Sequence, residues 1–175
     1  MENSFLVYAA ASSIIKAVRA WVLVYARDYQ GALAQFEKVL EMDPGFSKVH
    51  GDLAFLYAFQ GKHAEALAEV DKMRDALDVT LQWYRAWVYA QSGRRAESLE
   101  LTRSLEGRSR REYVSDADIG VLWLALNDKD RAFAHFMKAC EEREAWLAPV
   151  KVNPIFDEAR ADPRFKELLR CLHLE

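Results

Sequence analysis

Apolar and polar positions follow a helical period along this chain, and the pattern recurs. The Arg-Ala-Trp at 19–21 returns at 85–87. Short polar turns interrupt the helical runs around Arg27, Gly61, Gly93 and Asn127, at nearly equal intervals. Gly and Asn tolerate the left-handed conformation that often ends a helix. The spacing therefore predicts a series of helix pairs, each joined by one turn.

Pairs of small residues straddle each turn, and every pair has the same separation in sequence. The pairs are Ala20 and Ala32, Ala54 and Ala66, Ala86 and Ser98, and Gly120 and Ala132. Two helices can approach closely where their side chains are small. These pairs therefore predict the points at which antiparallel helices cross.

One stretch, Tyr25–Pro44, carries the clearest family resemblance. It has a Tyr before a small residue, an aromatic residue further on at Phe36, and a closing Asp43-Pro44 that ends the second helix. This unit resembles the tetratricopeptide repeat. The resemblance implies an all-α chain, an α-α superhelix (a right-handed solenoid) of about four helix pairs plus C-terminal capping helices.

The implied organisation has three parts. An apolar N-terminal segment occupies 1–12, four repeats occupy 13–146, and capping helices occupy 147–175. The repeat boundaries are about 13–46, 47–78, 79–112 and 113–146. Ser115 with Asp118 fits a capping box at the start of the fourth repeat.

The C-terminal stretch resembles the tail that ends tetratricopeptide domains of bacterial regulatory proteins. Asn153-Pro154 and Asp162-Pro163 each place a capping side chain before a Pro at the first helical position. They predict two short helices, at about 154–160 and 163–171. Such helices would cover the apolar end of a repeat array.

The resemblance also implies a concave groove lined by the first helix of each repeat. The implied groove residues are Trp21, Val24, Tyr25, Lys48, Phe55, Phe59, Trp83, Trp87, Gln91, Val121 and Leu124. This aromatic, weakly charged set favours a protein or peptide partner, specifically an apolar or helical segment. Three interpretations stay open: an open groove, a groove partly covered by the chain's own ends, and ordinary core.

The same resemblance argues against one partner class. The positions that match the carboxylate clamp of chaperone-binding tetratricopeptide domains are Ala17, Trp21, Asp52, Thr80 and Tyr84. None of these side chains would hold a carboxylate as that family does. We therefore expect no binding to acidic C-terminal tails.

Composition and charge add few functional signals. The formal net charge of −3, with both signs scattered, gives no general attraction to nucleic acid. An Arg-rich stretch at 94–111 is interleaved with Glu, which weakens a phosphate-binding interpretation. No phosphate loop, dinucleotide fingerprint or nucleophile elbow appears, and the four His share no metal-ligand spacing. The sequence predicts no enzyme activity, no cofactor and no metal, and no run spans a bilayer.

The two cysteines, Cys140 and Cys171, lie far apart in sequence without a metal or redox motif. This spacing favours reduced intracellular thiols and a cytoplasmic location. The favoured function is a protein–protein interaction scaffold, a module of a bacterial signalling or regulatory protein. The alternative is a self-associating structural module, in which the apolar N-terminal segment fills the groove or forms a homodimer.

Overall fold

The structure, a computed structural model, describes residues 15–74 and 77–175. Every regular element within these residues is a helix. The predicted apolar segment at 1–12 lies outside the described residues. Among the helices described, none is both long and apolar enough to cross a membrane.

The helices follow one another with short connections. They are α1 (15–25), α2 (Tyr29–Met42), α3 (Ser47–Phe59), α4 (His63–Lys72), α5 (Val79–Gln91), α6 (Arg95–Arg108), α7 (Asp116–Ala125), α8 (Lys129–Glu141) and α9 (Arg164–Cys171). Two 3-10 helices, Ala145–Leu147 and Pro154–Phe156, lie between α8 and α9. Two α-helices fall within each predicted repeat range.

The chain divides into two compact units, Met1–Asp75 and Ala76–Glu175, called here unit 1 and unit 2. In unit 1, α2 packs against α3 and α3 against α4. Its core joins small residues of α1, such as Ala20, to Phe36 and Val39 of α2 and to Val49 and Leu56 of α3. In unit 2, α5 pairs with α6 and α7 with α8, and α9 packs on α8.

The predicted turns have the predicted backbone conformation. Gly61 and Gly93 have φ of +71° and +79°, and Asn127 has +58°. Arg27 adopts the same left-handed conformation, with φ of +63°, although its side chain disfavours it. The small residues at the predicted crossings are all buried. This helix pairing is consistent with a tetratricopeptide-like superhelix and confirms the predicted all-α fold class.

The C-terminal region differs from the sequence prediction in one element. The helix expected at about 154–160 is only the 3-10 turn Pro154–Phe156. Asn153 does cap it, because its side chain accepts from the Ile155 amide. The Asn153 carbonyl then accepts from the Phe156 amide three residues on, which is the bond of a 3-10 helix. The same carbonyl also accepts from the Arg160 side chain at 2.8 Å. The second predicted helix is present as α9.

The prediction of reduced thiols is wrong for this structure. Cys140, near the end of α8, and Cys171, the last residue of α9, form a disulfide. Their Cα atoms are 6.3 Å apart because α9 packs against α8, within the range that a disulfide spans. The separation of the two cysteines in sequence carried no information about this proximity. Disulfides persist mainly in oxidising compartments, so the predicted cytoplasmic location loses the support of the cysteines.

Candidate functional site

Five aromatic side chains of unit 1 form a continuous series of ring contacts, which we call the aromatic row. They are Trp21 and Tyr25 from α1, Phe55 and Phe59 from α3, and Tyr29 at the start of α2. Ring centroids lie 5.9 Å apart for Trp21–Tyr25, 6.3 Å for Trp21–Phe55, 6.0 Å for Phe55–Phe59 and 6.4 Å for Tyr29–Phe59. Phe55 is fully buried, and the other four are half-buried. The four half-buried rings are therefore partly accessible to a partner, whereas Phe55 is part of the buried core.

A buried carboxylate orients the indole of the row. Trp21 Nε1 donates to Asp52 Oδ1 at 3.0 Å, and Lys48 Nζ lies 3.4 Å from both Asp52 oxygens. The Asp52 side chain is fully buried, whereas that of Lys48 is 48% exposed. Burial, and then the charge of Asp52, raise the pKa of the Tyr25 hydroxyl above its usual range. Tyr25 therefore keeps its proton and remains a hydrogen-bond donor at neutral pH.

Four members of the aromatic row are predictable from the sequence, whereas Tyr29 and Asp52 are not among the predicted groove residues. Trp21, Tyr25, Phe55 and Phe59 were predicted to line one surface, and they do contact one another in unit 1. Tyr29 was missed because it belongs to a second helix of a pair. Asp52 was noted only as an unsuitable clamp residue. The four-residue spacing from Lys48 to Asp52 along α3 was the available signal.

Other predicted groove residues lie in less accessible places. Val24 of unit 1 is buried, and so are Trp83, Trp87, Val121 and Leu124 of unit 2, whereas Gln91 is half-buried. Trp83 Nε1 donates to the Asp118 carbonyl at 3.0 Å, and its ring contacts Tyr84 and Trp146 at 5.2 and 5.8 Å. The buried residues would contribute to a partner site only as its floor.

Among the described residues, each unit contains a close acid–imidazole contact with a nearby lysine. In unit 1, His50 Nδ1 lies 2.7 Å from Glu69 Oε2, and Lys72 Nζ donates to the same carboxylate. In unit 2, His135 Nδ1 lies 2.7 Å from Asp116 Oδ1, and Lys138 donates to it at 2.6 Å.

The two pairs occupy equivalent positions in the repeat. Asp116 follows His50, and His135 follows Glu69, by the same offset that separates the two Arg-Ala-Trp motifs at 19–21 and 85–87. The acid and the imidazole have exchanged places between the helices. His50 and His135 therefore each have a carboxylate partner within their own helix pair, and this structural role explains both contacts.

A cluster of carboxylates lies at the N-terminus of α7. Glu144 accepts from the Ser115 hydroxyl at 2.5 Å and from the amides of Asp116 and Ala117 at 3.0 and 3.1 Å. Ser115 accepts from the Asp118 amide, as the predicted capping box requires, but Glu144 supplies the remaining cap. One carboxylate oxygen from each of Asp116, Glu142 and Glu144 lies within 4.8 Å of the other two, a spacing at which the three could ligate a cation. Those of Asp116 and Glu144 already accept the hydrogen bonds described.

The neighbouring Asp118 has an unusual electrostatic position. Burial, and then the charge of Glu144, raise the pKa of its carboxyl to about 7. The group is therefore partly protonated at neutral pH.

The Arg-rich stretch at 94–111 is partly occupied by intrachain partners. Arg108 contacts Glu112 at 2.5 Å and donates to the Leu77 carbonyl at 2.8 Å. Arg94 donates to Glu97 at 3.0 Å and lies over the Tyr89 ring. Neither guanidinium is arranged as a dedicated phosphate contact.

These features define an α-helical repeat protein whose units are built from antiparallel helix pairs with small residues at each crossing. Residues 23–86, from α1 into α5, match the family model described as tetratricopeptide repeat. This match supports the tetratricopeptide resemblance over those residues. Searches of curated proteins and of solved structures gave no match. Tetratricopeptide repeats generally mediate protein–protein interaction.

Proposed function

We propose that this chain is a non-enzymatic scaffold that binds an apolar or helical peptide segment of another protein on the aromatic row. The observation that carries the proposal is the row itself, in which four half-buried aromatic rings are linked through the fully buried Phe55. Aromatic side chains supply much of the binding energy of protein interfaces and lose little conformational entropy on binding. A row of rigid rings suits an apolar segment.

The buried Asp52 supports the same proposal. A carboxylate without exposure costs free energy unless it is hydrogen-bonded, and its partners here are Trp21 Nε1 and Lys48 Nζ. This arrangement holds the indole in one orientation before any partner arrives. Pre-organised side chains bind more tightly, because less conformational entropy is lost on association.

The biological setting that we propose is a bacterial signalling or regulatory protein, with no nucleic-acid partner. The resemblance of the C-terminal tail supports this setting, and the net charge of −3 supports the exclusion of nucleic acid. The predicted cytoplasmic location stays a prediction. The disulfide between Cys140 and Cys171 weighs against it, because cytosolic thiols are normally kept reduced.

The test begins with selection of peptides from a display library on the immobilised full chain, each long enough for about four helical turns. The affinity of the best peptide would then be measured by calorimetry. We expect Trp21→Ala and Phe59→Ala each to weaken binding at least tenfold, about 1.4 kcal/mol. Trp21→Phe, which keeps an aromatic ring but loses the bond to Asp52, should have an intermediate effect.

The matched control is Tyr113→Ala. Tyr113 is 81% exposed in unit 2 and should tolerate the change without loss of fold or of binding. Circular dichroism would establish that each variant is folded. Selected peptides whose affinity is unchanged in both Trp21→Ala and Phe59→Ala would contradict the proposal.

A further inference from the structure

Three apolar side chains on α1 form an exposed stripe. Ile15, Val18 and Val22 are 68%, 60% and 58% exposed. Their spacing of three and then four residues places them on one face of the helix. By the same geometry this face points away from Ala17, Ala20 and Val24, which join the core of unit 1. We call these three residues the α1 stripe.

The equivalent positions in the other repeats are covered. The repeat spacing relates the α1 stripe to Val49, Asp52 and Leu56 of α3, to Leu81, Tyr84 and Val88 of α5, and to Ser115, Asp118 and Leu122 of α7. All nine are buried except Asp118, which is half-buried. The same three positions are therefore exposed apolar surface only in the first repeat.

A helix covers these positions within each unit. In unit 1, α2 packs against α3, and Phe36 and Val39 share one buried core with Val49 and Leu56. In unit 2, α6 packs against α7 and Leu122 is fully buried. The geometry of the repeat thus fits an amphipathic helix to this face of a first helix.

The charges around the α1 stripe indicate what kind of helix would bind there. Lys16 and Arg19 each follow a stripe residue and flank one edge, and residues 15–25 contain no Asp or Glu. An occupant with acidic residues beside its apolar face would complement this edge. If a second copy packed its own α1 on this face, the Lys16 and Arg19 of the two copies would repel each other. The chain's own N-terminal segment at 1–12 has one acidic residue, Glu2, and its apolar run at 5–11 has none.

We propose that the α1 stripe binds an amphipathic helix of a partner protein, apolar on one face and acidic along the adjoining edge. The helix lies on α1 as α2 lies on α3. The α1 stripe shares no residue with the aromatic row, although it adjoins Trp21 and Tyr25 along α1. The proposal does not rest on the function proposed above. It buries the Ile15, Val18 and Val22 side chains, and its acidic edge meets Lys16 and Arg19.

The probe for this proposal is a synthetic, fluorescently labelled peptide with the sequence of residues 29–42. It is the helix that already covers the equivalent face of α3, and it carries Glu37 and Glu41. Fluorescence anisotropy with the full chain should show saturable binding. Val22→Asp and Val18→Asp should each weaken binding at least tenfold, and Arg19→Glu should reduce its dependence on salt.

The matched control is Val152→Asp, the same substitution at an apolar residue that is 49% exposed in unit 2. It should leave the affinity unchanged. Circular dichroism should show native helix content in all variants, because every substituted side chain is exposed. The proposal is overturned if no binding occurs up to about 1 mM peptide, the weak limit of specific recognition. Binding that neither stripe substitution changes overturns it too.

Two further results would assign the α1 stripe to another occupant and so overturn a partner helix. A Phe5→Asp variant that binds the peptide at least tenfold more tightly would identify the chain's own segment at 5–11. A dimer in analytical ultracentrifugation that Val22→Asp converts to monomer would identify a second copy. We expect neither: Phe5→Asp should leave the affinity unchanged, and the sedimentation behaviour should not respond to Val22→Asp.

Discussion

Substitution of Gly120 by Ala tests the closest helix contact in unit 2. A Cβ at Gly120 would lie 2.6 Å from two ring carbons of Phe136 and 3.0 Å from the Ala132 carbonyl oxygen. The Phe136 ring is fully buried and packs at 5.8 Å against Phe133 and at 5.4 Å against Phe156. The ring cannot move aside cheaply, so α7 and α8 must separate.

Two effects of opposite sign determine the outcome. Overpacking a buried site costs about 1–3 kcal/mol. Replacing Gly by Ala inside a helix returns about 1 kcal/mol through helix propensity. The expected net result is a loss of up to about 2 kcal/mol in the free energy of unfolding.

Gly107 provides the matched control, because it is also a helical glycine but has no atom within 4 Å of an added Cβ. Gly107→Ala should therefore gain about 0.5–1 kcal/mol. Urea denaturation of the full chain, followed by circular dichroism, would measure both changes. If Gly120→Ala stabilises the protein as much as Gly107→Ala does, the described crossing of α7 and α8 is wrong.

Three other substitutions or conditions give clear expectations. Asp118→Asn should stabilise the protein most above pH 7 and lose this advantage towards pH 4, because the folded-state pKa of Asp118 is raised to about 7 and the fold disfavours its ionised form. Urea denaturation at several pH values would measure this change, and a gain that is equal at all pH values would contradict the raised pKa. A reductant should lower the free energy of unfolding by about 2–4 kcal/mol, and should have no effect on a variant with Ala at both Cys140 and Cys171. Arg27→Gly should raise the free energy of unfolding by about 0.5–1 kcal/mol, because φ is +63° at this position and glycine adopts that conformation without strain. A lower melting temperature of the variant in calorimetry would contradict that reasoning.

Features that depend on neighbours in sequence were predictable. The left-handed turn residues, such as Gly61 and Asn127, follow from the conformational preferences of Gly and Asn and from the repeat spacing. The buried small pairs follow from the same spacing. The contacts Trp21–Tyr25 and Phe55–Phe59 follow from four-residue helical separations.

Features that depend on the relative axial position of two packed elements were not predictable from the sequence. The bond from Trp21 to Asp52 requires α1 and α3 to pack with one particular offset. Trp83 is buried partly because Trp146, which comes much later in the sequence, contacts its ring. The pairing of Cys140 with Cys171 similarly depends on how α9 docks, which the periodicity of the repeats does not determine.

The disulfide has a mechanical consequence. A pulling force applied to the two ends of the chain passes from Cys140 directly to Cys171 through the sulfur atoms. The intervening residues, which include Trp146 and Phe156, carry no tension. In an optical trap the fully extended oxidised chain should therefore be shorter than the reduced one by about 100 Å, from a sequence separation of 31 at roughly 3.3–3.6 Å for each residue. The residues between the two cysteines would then remain a closed loop that bears no load while the rest of the chain extends.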